Sequence, residues 1–210
     1  MRFKHVKGAE DIVNNSNYVI KNPEQYKGHF KELFGNNDSI YIEIGMGKGN
    51  FIIENAIRYP NINFIGIEKY DSVMVKAIRR LEELNIPNLK LIRMDANKID
   101  DIFDTEIDKI YLNFSDPWPK TRHEKRRLMS PNFLKKYDNI FKNKKNIEFK
   151  TDNRKLFEYA IKIFNETKYN IDDISLNLYE DNIKNNIPTE YEMKFNNLGF
   201  PIYKIEVSKR

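Results

Sequence analysis

Glu43-Ile-Gly45-Met-Gly47-Lys-Gly49 sets a carboxylate directly ahead of three alternating glycines. Glycines at that spacing let a backbone turn tightly and come close to a ligand. Glu68 follows 25 residues after Glu43, and its two oxygens suit the two hydroxyls of a ribose. The nicotinamide pattern Gly-x-Gly-x-x-Gly would need glycine where Asn50 stands. A phosphate-binding P-loop fails too, because Gly49 follows Lys48 and no Ser or Thr is at hand for magnesium. Glu43 would repel a pyrophosphate and suits a cationic amino-acid or sulfonium group. S-adenosylmethionine has the ribose and the cation and lacks phosphates, and Asp95 stands where an adenine amino group would lie. The competing reading is a structural glycine turn with unrelated surface acids.

A second constellation is Asp116-Pro-Trp-Pro-Lys120. Pro117 and Pro119 stiffen the backbone that presents Asp116 and Trp118. Trp118 offers a stacking surface, and Lys120 and Arg122 offer phosphate contacts, as a nucleobase within a nucleic-acid strand requires. A Pro-rich turn with Trp118 on the core is the alternative. Phe149-Lys-Thr-Asp152-Asn153 supplies Asp152, either as a hydrogen-bond partner for a base or as part of a helix N-cap. Thr189-Glu190-Tyr191-Glu192 reads either as a substrate contact or as a helix start with acids in its first turn. Pro119–Arg127 carries five cations against Glu124, and Lys135–Lys145 carries five lysines against Asp138, in a chain whose formal net charge is +5. Such clusters are the footprint of a polyanion partner or, more blandly, a solvated basic face.

The elements that position these residues alternate. Ser39–Ile44, Asn63–Ile67, Leu89–Met94, Ile107–Phe114 and Ile147–Phe149 read as strands, with further strands at Ile174–Leu178 and Ile202–Val207. Helices are expected over Asn50–Arg58, from Asp71 to Leu84, and from Arg154, the last with Leu156, Phe157, Ala160, Ile161 and Phe164 as its buried stripe. Strands alternating with helices imply an α/β fold, a mostly parallel sheet with helices on both faces. Pro23–Phe34, with Gly35 behind it, reads as a leading helix. The 210 residues suit one compact domain, and mean hydropathy of -0.70 with no long apolar run excludes a membrane protein. Zero Cys removes disulfides, thiolate metal sites and a Cys nucleophile, and His5, His29 and His123 are too scattered for a metal site. A cytoplasmic location is expected.

Together, Glu-Ile-Gly-x-Gly-x-Gly-x-Phe at 43–51, Phe-Ser-Asp-Pro-Trp-Pro-Lys at 114–120 and the basic stretch behind it resemble the bacterial, single-chain tRNA (guanine-N7)-methyltransferase family. Phe149–Asn153 and Thr189–Glu192, followed by Lys194-Phe and Gly199, are similar to its remaining signatures. The resemblance runs from about Ile40 to the C-terminus. It implies a Rossmann-like class I S-adenosylmethionine-dependent methyltransferase with a final antiparallel strand, a domain over 39–210 behind an extension at 1–38. Glu43, Gly45, Gly47, Glu68, Asp95 and Asp116 would bind the cofactor, with Asp116 also catalytic. Lys120, Asp152, Thr189, Glu190, Tyr191 and Glu192 would handle the substrate, and Arg122, His123, Glu124, Lys125, Arg126 and Arg127 would lie on the RNA. The expected partner is tRNA and the product 7-methylguanosine in its variable region; no obligatory protein partner is expected, and self-pairing is left open. The alternatives are methylation of an exocyclic amine of adenine or cytosine, and a noncatalytic RNA-binding module.

Overall fold

The computed structural model of the chain describes residues 6–181 and 186–209; His5 and the other four residues at the start of the expected extension lie outside them. The strands are β1 (Ile40–Ile44), β2 (Asn63–Glu68), β3 (Leu89–Arg93), β4 (Lys109–Asn113), β5 (Lys145–Thr151), β6 (Asn170–Ser175) and β7 (Tyr203–Lys209). The helices are α1 (Ala9–Asn15), α2 (Asn50–Arg58), α3 (Asp71–Leu84), α4 (Ile99–Ile102), α5 (Pro131–Ile140), α6 (Arg154–Glu166) and α7 (Glu190–Asn197). One seven-stranded sheet runs in the order β3-β2-β1-β4-β5-β7-β6. β1 to β5 are parallel, and β7 enters antiparallel between β5 and β6.

Strand alternation sorts the core. Ile40, Ile42, Ile44, Ile110, Leu112, Ile147 and Phe149 face a layer formed by the apolar stripes of α4, α5 and α6. Phe64, Leu89, Leu91 and Tyr111 face the other way, under α1, α2 and α3. In α6 the buried stripe is Leu156, Phe157, Ala160, Ile163 and Phe164. Ile161 is only partly buried, because a position five residues after Leu156 falls on the flank of the stripe.

The leading helix does not form. Pro23–Tyr26 and Phe30–Leu33 are two short 3-10 turns, parted at Gly28, whose φ of 80° breaks the helical path. The break lets Gly28 N–H and Phe30 N–H donate to the buried carboxylate of Glu106, at 2.9 and 3.0 Å. Helix α1 lies outside the sequence expectations, and so does α5, whose lysines overlie a buried stripe of Phe133, Leu134, Tyr137 and Ile140.

The parallel strands all point the same way. Residues that follow the ends of β1 to β5 therefore gather on one rim, where ligands of open α/β sheets bind.

Candidate active site

The glycines behind β1 do two different jobs. Gly45 (φ 77°) and Gly47 (φ 58°) sit in the left-handed region, and a Cβ on either would meet nothing within 4 Å among the described residues. They leave open backbone facing the rim. A Cβ on Gly49 would meet Ala77 Cβ at 2.8 Å, so this glycine is needed to seat α2 against α3. Gly45 N–H and Met46 N–H both donate to the Ile67 carbonyl, at 2.9 and 3.0 Å, tying the glycine turn to β2.

Glu68 completes the turn. Its Oε2 accepts from Gly47 N–H at 3.0 Å, and its Oε1 accepts from Lys69 N–H and Tyr70 N–H at 2.8 and 3.0 Å. Burial holds its carboxyl above the usual range against these backbone bonds, and the nearby Asp116 charge pushes the same way. Glu43 is 2% exposed. Its Oε1 accepts from Asn113 Nδ2 at 2.9 Å, while its Oε2 and the Asn113 side-chain carbonyl oxygen are buried with no donor among the described residues. Burial pushes Glu43 up to about 8, against the pull of Asn113 and Lys150. Two unsatisfied buried acceptors, one of them the carboxylate's own oxygen, suit a ligand ammonium, which brings positive charge and three donors. Asp95 is already engaged. Its Oδ1 accepts from the backbone and side-chain N–H groups of Asn97, and its Oδ2 pairs with Lys69 at 2.7 Å. The Lys69 bond, with those from Asn97, holds its carboxyl low.

Beyond β4 the backbone is strained. Phe114 (φ 50°) and Trp118 (φ 39°) are bulky residues in the left-handed region, each at a cost of about 1–3 kcal/mol. Asp116 lies between them, exposed on the rim. A cavity of about 260 Å³ opens here, with Phe114 to Pro117 on one wall and Thr151 to Asn153 on another. Tyr191 and Phe195 of α7 close its far side. Asn153, not Asp152, caps α6, its side chain accepting from Leu156 N–H at 2.9 Å. Asp152 is left facing the cavity with Asp116 and Tyr191.

The rest of the Thr189–Glu192 motif is turned to support. Thr189 Oγ1 accepts from Glu192 N–H at 2.9 Å, in a capping box that starts α7. Glu192 is fully buried and pairs with Lys150 at 3.2 Å. Lys150 also donates to the Ile187 carbonyl at 3.1 Å, so β5 grips the segment leading into α7. Glu190 pairs with Lys48 and accepts from Asn50 Nδ2 at 2.8 Å, joining α7 to the glycine turn. Asn113 and Lys150 were not singled out from the sequence; the signal was a polar residue at an inward position of an otherwise apolar strand end.

The basic stretch after Asp116 forms a 3-10 turn, Thr121–Arg126. Lys120, Arg122, Lys125 and Arg126 are exposed, and His123 and Glu124 are half-buried. The Arg126 guanidinium lies over the Trp118 ring at 4.9 Å, and His123 meets that ring edge-on. Arg127 turns inward to the carbonyls of Pro117 and Trp118. The second basic stretch ends at the start of β5, on the opposite rim. Along that stretch Lys136 pairs with Asp100, Lys144 with Asp172 and Lys145 with Asp138.

The strand order, the reversed β7 and the glycine–carboxylate rim define the Rossmann-like class I fold of S-adenosylmethionine-dependent methyltransferases. Solved structures share it: an antibiotic-related methyltransferase aligns with a TM-score of 0.64 at 20% identity, over 87% of this chain and 93% of that one. A SAM-dependent methyltransferase from Aquifex aeolicus aligns at 0.57 and 14% identity, over 98% and 99%. A family model described as a putative methyltransferase matches residues 37–205. The tRNA (guanine-N(7)-)-methyltransferase of Bacillus subtilis (strain 168) is 47% identical over the full length of both chains. The enzyme of that name from Listeria monocytogenes serovar 1/2a is 49% identical, over 98% of this chain and 97% of its own. The chain belongs to the bacterial single-chain tRNA (guanine-N7)-methyltransferase family.

Proposed function

We propose that this chain methylates N7 of a guanine in the variable region of tRNA, with S-adenosylmethionine as donor. The observation that carries the reading is the rim itself: a buried Glu43 oxygen with no donor among the described residues, open glycine backbone, and a cavity shared by Asp116, Asp152 and Tyr191. The relatives that match over the whole chain carry the same activity in their names.

When bound, S-adenosylmethionine supplies an electrophilic methyl group on a positively charged sulfur. Glu43 and the Asn113 carbonyl oxygen hold the amino group of its methionine part. Gly45 and Gly47 allow close backbone approach, Glu68 keeps lone pairs for the ribose, and Asp95 borders the adenine. Guanine N7 carries an in-plane lone pair, so attack needs no prior deprotonation. The work left to the protein is alignment, worth roughly 7–11 kcal/mol of barrier, and stabilisation of the positive charge that methylation leaves on the imidazole ring. Asp116, fixed between two strained residues, supplies that stabilisation without reorganising. Asp152 bonds the edge of the base and Tyr191 offers its ring. Thr189, Glu190 and Glu192 act on the substrate through the placement of Tyr191. Lys120 and the 122–126 turn meet the RNA backbone, with Trp118 and Arg126 as a stacked pair at its centre.

Unmodified tRNA incubated with methyl-labelled cofactor and digested to nucleosides tests the reading. Label in 7-methylguanosine is expected. Label in an N-methylated adenosine or cytidine overturns the target atom, and tRNA binding without cofactor binding reduces the chain to an RNA-binding module.

A further inference from the structure

Arg126 and Arg127 are neighbours in sequence and face opposite ways. Arg126 lies over the Trp118 ring on the outside. Arg127 Nε donates to the Pro117 carbonyl at 3.1 Å and to the Trp118 carbonyl at 3.3 Å, and its Nη2 donates to the Trp118 carbonyl at 3.1 Å. Its guanidinium carbon lies over the Tyr159 ring of α6, 4.3 Å from the centroid.

That loop needs an external clamp. Pro117 and Pro119 have no N–H with which to close a turn. A residue before proline is driven toward extended backbone, yet Trp118 is held at φ 39° before Pro119. Arg127 meets both demands with a planar fork of donors, and through Tyr159 it ties the loop to the helix that begins directly behind Asp152. One side chain thereby joins the backbone next to Asp116 to the helix that follows Asp152. We infer that Arg127 is a positioning residue for Asp116 and does not serve as a contact to RNA phosphate. The inference rests on the reading of Asp116 as the catalytic carboxylate.

Lysine keeps the charge of arginine and loses the fork, so Arg127→Lys separates the two roles. With tRNA and S-adenosylmethionine saturating, kcat of Arg127→Lys is expected to fall about 10²-fold, the scale of a small misplacement at a reacting centre. Affinity for tRNA should stay within about twofold of wild type, with the same salt dependence. Arg126→Ala should raise the KM for tRNA instead. Trp118 is the sole tryptophan, so its emission reports the loop directly, and Arg127→Lys should shift it in the free protein. Tyr159→Leu removes the platform without changing charge; it should give the same emission shift and a smaller loss of kcat, which keeps the test intact if the Arg127 variant folds poorly. Wild-type turnover and emission in Arg127→Lys would overturn the inference, as would a variant impaired only in tRNA affinity. A wild-type chain inert on tRNA would overturn the proposed function instead, and the Trp118 emission would still decide whether Arg127 holds the loop.

Discussion

The two rims of the sheet use the same residue types to opposite ends. At the rim where the parallel strands begin, every acid of note is satisfied. Glu106 accepts from Gly28, Phe30 and Asp104 N–H groups, Asp108 accepts from Ile40 N–H, and Asp138 binds Tyr169, Lys145 and Lys209. At the rim where the strands end, Glu43 keeps an oxygen with no donor among the described residues, Asp116 stands exposed, and Phe114 and Trp118 hold strained backbone. One edge lowers the free energy of the fold; the other keeps an unfilled valence and a strained backbone at the site. Glu68 and Asp95 on the ligand rim are paired as well, so what separates the rims is the donorless Glu43 oxygen, the exposed Asp116 and the strained backbone.

The sharpest way to break this contrast is to neutralise one acid on each rim. Asp116→Asn should lower kcat by about 10²–10³-fold, the range for removing one preorganised charge-stabilising group, while leaving the thermal midpoint unchanged. Single-turnover methylation and calorimetry check both halves. Glu106→Ala should do the reverse. It strips three N–H groups of their acceptor, and the folded state should lose about 3 kcal/mol in urea unfolding, at about 1–3 kcal/mol for a buried group left unpaired and less where water enters. Turnover per folded molecule should hold. An Asp116 variant that unfolds early, or a Glu106 variant that folds normally, would erase the distinction between the rims.

Glu43 sharpens the comparison through pH. The unfolded chain releases this proton near 4.5, and the folded chain keeps it to about 8, because burial disfavours the ion. Folding therefore takes up a proton across that window, and the contribution of Glu43 to stability falls as pH rises from about 4.5 to 8. Glu43→Gln should flatten this slope and stabilise the ligand-free protein above pH 8 by a few kcal/mol, on the order set by the shift. The same variant should lose affinity for S-adenosylmethionine. Calorimetric titration of the wild type at pH 7 in buffers of different ionisation enthalpy should show a proton released on cofactor binding. Asp138, on the other rim, gives the opposite slope. Burial raises its carboxyl, but bonds from Lys209, Tyr169 and Lys145 outweigh that and hold it low, so its contribution fades as pH falls.

Much of this was legible in the sequence, for a physical reason. β-Branched runs ending in an acid or a glycine announce both a strand and its rim, so Glu43, Gly45, Gly47, Glu68 and Asp116 could be placed before any coordinates. What was not legible depends on contacts between distant residues. Glu192 lies buried because Lys150, 42 positions away, comes to meet it. The leading helix breaks because Glu106, 78 positions from Gly28, claims its N–H. In α5 the lysines read as a charge run and hid the apolar stripe beneath them. The direction of Arg127 is likewise set by two carbonyls whose orientation no spacing rule encodes.

Charge runs provide the smallest effect and the cleanest contrast. Both basic stretches carry five cations, so composition alone makes them equal candidates for RNA. Their partners separate them. In the second stretch Lys136, Lys144 and Lys145 face Asp100, Asp172 and Asp138, which already neutralise much of the field. In the first, Lys120, Arg122, Lys125 and Arg126 stand exposed beside the cavity. A cation that neutralises a phosphate releases counterions, and each such contact steepens the fall of affinity with salt. Arg122→Ala with Arg126→Ala should thus weaken tRNA binding by about tenfold at moderate salt and reduce the slope of log affinity against log salt by about two, near one per lost contact. Lys136→Ala with Lys144→Ala, equal in charge removed, should change neither. Filter binding across a salt series measures both pairs side by side, and equal slopes for the two would mean that total charge, not the rim on which it stands, draws in the RNA.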